Sequence, residues 1–155
     1  METDVHKLLD VLAQTPEIIA RQIAPLSGEE LRRRNPEGDF SALENVCHLR
    51  DLEVEGYAVR INRILNEQEP FLPDFDGGRI AAERGYNRQD IQKALEAFAL
   101  ARKQNVQRLR DLAAEGLTRE GILEGVGRVS LKGLVLMMRE HDESHLLTLV
   151  SPAIA

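Results

Sequence analysis

The segment FSALENVCHLRDLEVEGYAVRINRILNE, residues 40–67, restricts the fold more than any other part of the chain. Ser41 with Glu44 three residues on forms a capping box, so a helix starts there and runs to about Glu67. Its apolar residues fall on two faces: Leu43, Cys47, Val54, Ala58, Ile61 and Leu65 on one, and Leu52 and Val59 on another with His48 alongside. A helix apolar over that much of its circumference belongs inside a bundle.

Partners for it are visible on both sides. DVHKLLDVLAQ and TPEIIARQIAPL read as one kinked helix or two abutting ones, with Thr15 as an N-cap and Pro16 at a first helical position. Ser27 and Glu30 form a second capping box on a short turn that Pro36 stops. Asn87 is expected to cap a third long helix with the stripe Ile91, Leu95, Phe98, Arg102, Val106 and Leu109. Arg102 interrupts that stripe and needs a partner or a route to water. Bonding to backbone or carboxylate groups at the bundle end is its expected role, and gripping substrate is the alternative. Ser130 caps the last helix, about Leu131 to Val150, which Ser151 and Pro152 end.

The connections are less regular. QEPFLPDFDGGRIAAERGYN, with two prolines and a glycine pair, is a long surface connection, or a cover over a site around Asp74, Asp76, Gly77 and Gly78. In GLTREGILEGVGRVS, Gly125 and Gly127 follow no strand pattern and complete no G-x-G-x-x-G, so a dinucleotide fingerprint is absent. Four long helical segments without strand pattern or internal repeat predict an all-α protein, an antiparallel four-helix bundle, as one domain over residues 1–155.

Charge and cysteine content narrow the function. Twenty Lys and Arg against 26 Asp and Glu give a formal charge of −6, which opposes binding to nucleic acid. The basic run Arg32 to Arg34 lacks interleaved aromatics and reads as a solvated helix end. Cys47, the single cysteine, excludes an intrachain disulfide and points to a reducing compartment. No signal-peptide pattern and no apolar run near the roughly 20 residues of a membrane span is present, so a cytoplasmic protein is expected.

On the last helix, Leu131, Leu134, Met138, His141, His145 and Leu149 share one narrow sector. His141 and His145, four residues apart, project side by side and continue the core stripe. From the pair alone, hydrogen-bonded core histidines and a metal site stand level. A third ligand would favour metal, and the remaining histidines are His6 and His48. His6 lies near a fraying start, whereas His48 occupies a well-capped buried helix. Three neutral imidazoles leave positions open on a divalent ion, as in a reactive site.

Other chemistries fit less well. A zincin needs His-Glu-x-x-His, but Asp142 follows His141 and Glu143 faces solvent. A di-iron carboxylate bundle needs two Glu-x-x-His motifs, and only Asp142-x-x-His145 comes near. Asp142 is read either as a partner for a ring nitrogen or as a solvated carboxylate. Glu44 stands four residues before His48, a spacing that permits a local hydrogen bond. Cys47 reads as a buried, inert thiol.

FSALENVCHLRDLE, the P-x-L-P loop, Phe98-x-x-x-Arg102 and HDESH after a glycine-containing turn together resemble the DinB-like superfamily of bacterial metalloenzymes, from about Phe40 to Leu149. Phe40 departs from the tryptophan of many relatives, a change expected to affect packing only. The resemblance implies a four-helix bundle holding a divalent metal ion, nickel, zinc or iron, through His48, His141 and His145. It also implies a homodimer and a small-molecule substrate, with transfer to or from a low-molecular-weight thiol as the expected reaction. Two readings stay open beside it: a non-catalytic metal or small-molecule binder, and a helical interaction protein with core histidines. No nucleic acid and no membrane is expected as a partner.

Overall fold

The computed structural model describes residues 4–150. Ser151 and Pro152, expected to end the last helix, lie outside the described residues.

Helix α1 (Val5–Ile23) runs unbroken through Pro16. Thr15 is therefore an interior residue and not an N-cap; it is buried, and its hydroxyl donates to Asp142 at 2.7 Å. Pro16 has no N–H for the carbonyl of Leu12, and Arg102 replaces the missing donor at 3.0 Å. A bond from a neighbouring helix thus repairs the ladder that proline interrupts.

Ser27 and Glu30 form their capping box on the short α2 (Gly28–Arg32), as do Ser41 and Glu44 on α3 (Ala42–Asp51). Helix α3 continues into a π-helical segment (Leu52–Tyr57) and then α4 (Ala58–Asn66). The wider π turn rotates everything after it. Val54, expected in the core, is 48% exposed, while Glu53 is fully buried. Burial follows Leu49, Glu53, Tyr57 and Ile61, a four-residue step that a 3.6-residue template does not predict.

The connection from α4 contains strand β1 (Phe71–Leu72), helix α5 (Gly77–Arg84) and a 3₁₀ turn (Tyr86–Arg88). Asp90, not Asn87, caps α6 (Ile91–Arg110). The Asn87 carboxamide is already engaged, accepting from the Ser41 hydroxyl and donating to the Arg32 carbonyl at 3.1 Å. After α7 (Ala114–Leu117), strands β2 (Glu120–Leu123) and β3 (Gly127–Ser130) form a hairpin, with β1 parallel to β2. The sequence pattern predicts none of these strands. Each is too short to display alternation, and the tight turn depends on Gly125 and Gly127, both at positive φ. Ser130 accepts from the Gly133 N–H at 3.0 Å and starts α8 (Leu131–Val150).

Helix α1 packs on α6 and α8, and α3 packs on the same two. Two apolar clusters fix the directions. One joins Val5–Leu12 residues of α1, Ile61 and Ile64, Val106 and Leu109, and Leu131–Met138 residues of α8. The other joins Ile19 and Ile23, Leu43 and Val46, Ala94 and Phe98, and Leu149. Helices α1 and α8 therefore run in one sense and α3 and α6 in the opposite one, so the α1–α6 and α3–α8 pairs are antiparallel. The long connection after α4 permits this by carrying the chain back along the bundle. Between the clusters lies a polar layer: Thr15 from α1, Arg102 and Asn105 from α6, and His141 and Asp142 from α8. The core is interrupted at the level where the histidines sit.

Candidate metal centre

His48 comes from the end of α3 just before the π segment, and His141 and His145 lie one turn apart on α8. Their ring nitrogens converge. His141 Nε2 is 3.4 Å from His48 Nε2 and 3.1 Å from His145 Nε2, and one nitrogen from each ring falls within 4.8 Å of the others. Bonds of about 2.0–2.1 Å to one tetrahedral ion would set such nitrogens roughly 3.3 Å apart, so the spacing fits a shared ion.

Asn45, one turn before His48, defines the tautomer of His145. Its Nδ2 donates to the carbonyls of Phe40 (3.3 Å) and Ser41 (3.0 Å), which turns Oδ1 toward His145 Nδ1. Nδ1–H donates to Oδ1, and Nε2 carries a free lone pair facing the other two imidazoles. His48 is held differently, by packing. Phe40 and Phe75 flank it with ring centroids at 5.6 and 6.0 Å, and the Gly77 backbone lies against its edge. The Nδ1 atoms of His48 and His141 are buried without a protein partner.

Burial pushes all three histidines down to about 4, and the neighbouring imidazoles add to the effect. They are neutral near pH 7, the form that binds metal.

Beneath them lies the polar layer. Arg102, 1% exposed, donates to both Asp142 oxygens (2.6 and 2.9 Å) and to Glu53 (2.9 Å). Asn105 completes Glu53 with bonds to its carbonyl and carboxylate. One guanidinium between two carboxylates leaves a formal charge of −1, which favours a cation next to it. Arg102 thus bonds carboxylate and backbone groups, in the middle of the bundle and not at its end. Asp142 is neither solvated nor bonded to an imidazole.

Other sequence candidates separate from the site. Glu44 pairs with Arg34 through both oxygens and makes no hydrogen bond to His48. With Arg32 bonded to Asn87, two members of the basic run are already engaged within the fold. Glu143 is exposed and pairs with Arg139. Cys47 is fully buried, and burial raises its thiol to about 11, so it is unreactive. His6 is exposed on α1.

The site opens on a cavity of about 430 Å³ lined by His48, His141, Tyr57, Arg60, Asp74 and Phe75 among others. The segment Asp74 to Gly77 therefore covers one side of the centre and is more than a surface connection. Asn45, Glu53, Tyr57 and Arg60 also belong to this region, and the sequence pattern does not mark them. Glycine in mid-helix at Gly56 is the one local hint of an irregular turn there.

A family model described as the DinB superfamily matches residues 12–149. No curated protein matches the sequence. Among solved structures, YfiT from Bacillus subtilis, described as a probable metal-dependent hydrolase with an unusual four-helix bundle topology, superposes with a TM-score of 0.90. The match covers 99% of this chain and 90% of that chain at 16% sequence identity, a likeness of fold.

Proposed function

This chain belongs to the DinB superfamily, and from that premise we propose that it is a metal-dependent enzyme whose divalent ion is bound by His48, His141 and His145. The observation that carries the reading is the convergence of three imidazole nitrogens beside an open cavity. Three protein ligands leave positions free, the arrangement of a reactive centre. Nickel, zinc or iron each suit a nitrogen set of this kind.

A bound ion would supply Lewis acidity, lowering the pKa of a ligand thiol or water. The chain's residues account for the rest. Asn45 keeps the His145 lone pair turned inward, the Arg102 layer contributes negative charge below, and Phe75 with Gly77 shields His48 from solvent. The cavity admits a small molecule. Transfer involving a low-molecular-weight thiol is the reaction we favour, and the description of YfiT as a hydrolase supports metal-assisted hydrolysis as the second reading.

We further propose a cytoplasmic homodimer. Cys47, buried and unpaired, is compatible with a reducing compartment, and no helix among the described residues is long and apolar enough to cross a membrane. Sedimentation of the untagged protein tests the dimer.

The central test is elemental analysis of untagged protein beside His48→Ala, His141→Ala and His145→Ala. About one divalent ion per chain in the parent, lost in each variant, is expected. A protein that takes up no nickel, zinc or iron would instead be a bundle with core histidines.

A further inference from the structure

We infer that Arg60 anchors a carboxylate group of the substrate in the cavity beside the three histidines. The inference rests on the reading of that site as a metal centre.

Among the described residues two arginines are buried, and their surroundings differ. Arg102 has its carboxylates and its carbonyl. Arg60, 8% exposed on α4, has no hydrogen bond and no ion pair with any described residue. Its guanidinium lies 5.8 Å from the centre of the Tyr57 ring, and that ring lies 6.4 Å from the ring of His141. Arg60, Tyr57, His48 and His141 all line one cavity. None of the Arg60 guanidinium nitrogens is sealed from solvent, so its five donors face the open cavity and are free for an acceptor that enters it. The π segment sets the direction in which Arg60 projects, since the wider turn between His48 and α4 rotates α4 relative to α3.

Charge selects the kind of partner. Asp74, Glu124 and Glu140 also line the cavity, none within ion-pair distance of Arg60. Three acidic groups repel a phosphate dianion more strongly than a carboxylate monoanion. A planar carboxylate also matches the guanidinium fork with two parallel bonds. The substrate class is then a small carboxylic acid whose second donor group reaches the metal face of the histidines.

The experiment uses the nickel-loaded protein titrated with 3-mercaptopropionate, 2-mercaptoethanol and 2-mercaptoethyl phosphate, read by sulfur-to-nickel absorption. The carboxylate thiol should bind at least about tenfold tighter than the neutral one, the usual scale of a charge-assisted pair. Arg60→Met should abolish that preference while leaving nickel content and 2-mercaptoethanol affinity unchanged. Arg60→Lys, which keeps the charge without the fork, should lose most of it, and the wild-type comparison stands even where a variant fails to fold. Equal affinities in the wild type, a preference that persists in Arg60→Met, or tighter binding of the phosphate would overturn the inference. Should the protein take up no metal, the metal reading fails separately. Thermal stabilisation of the metal-free protein by succinate, abolished in Arg60→Met, would then still support the carboxylate anchor, and no stabilisation would overturn it.

Discussion

Arg102 donates to both carboxylate oxygens of Asp142, at 2.6 and 2.9 Å, and Asp142 is the residue that follows His141. The pair lies wholly inside the bundle, where removing one partner leaves an uncompensated charge. Arg102→Met would strand two carboxylates, Asp142 and Glu53. A loss of about 3–5 kcal/mol is expected in urea unfolding of the metal-free protein. A loss below about 1 kcal/mol would mean that the pair is replaceable by packing and that the layer contributes little to stability.

Asn45 acts on the centre through His145. Asn45→Ala removes the acceptor for Nδ1–H and releases the ring to rotate or change tautomer. Metal affinity, measured by competition with a chelator, should weaken about 10–100-fold. An unchanged affinity would show that packing alone orients His145.

The helices were legible because their starts are chemically explicit: the Ser41–Glu44 and Ser27–Glu30 boxes appear as expected. His48, His141 and His145 were likewise legible as polar residues on apolar faces. What lay hidden depends on departures from ideal geometry. The π segment exchanges Val54 for Glu53 at the core and brings Tyr57 and Arg60 to the cavity, and no 3.6-residue pattern encodes it. Thr15 and Pro16 carried the signature of a helix start, yet Arg102 and Asp142, distant in sequence, satisfy both within one helix. Such tertiary partners outweigh local preference.

Gly77 is required by the closeness of His48. A Cβ at this position would fall 2.6 Å from His48 Cε1 and 2.8 Å from Nδ1, inside contact distance, whereas one at Gly78 would meet nothing nearer than 4.0 Å. Gly77→Ala should displace the ring or the segment, costing about 1–3 kcal/mol and weakening metal binding, with Gly78→Ala as the neutral control. Equal effects of the two substitutions, in parallel unfolding and metal titrations, would remove the claim that this segment packs as a cover on His48.

The three imidazoles give the protein a defined response to acid. Each is pushed down to about 4, chiefly by burial, from an unfolded value near 6.5. Between these values the unfolded chain binds more protons than the folded one, so stability is full above about pH 6.5 and falls as pH drops toward 4. The slope for the metal-free protein should reach at most about 1.4 kcal/mol per pH unit for each histidine. Carboxylates join in below about pH 5, so the window from 6.5 to 5 isolates the histidines. Over that same window the folded site stays neutral, and metal content after equilibration should remain flat, because few protons compete for the nitrogens. Exposed histidines would behave in the opposite way, with metal lost from about pH 6.5 downward and little change in stability. Urea unfolding and metal retention measured together at pH 5.0, 5.5, 6.0 and 6.5, on the order of the steps needed to resolve these pKa values, therefore decide whether the site is buried and preformed. A flat stability profile with early metal loss would contradict it.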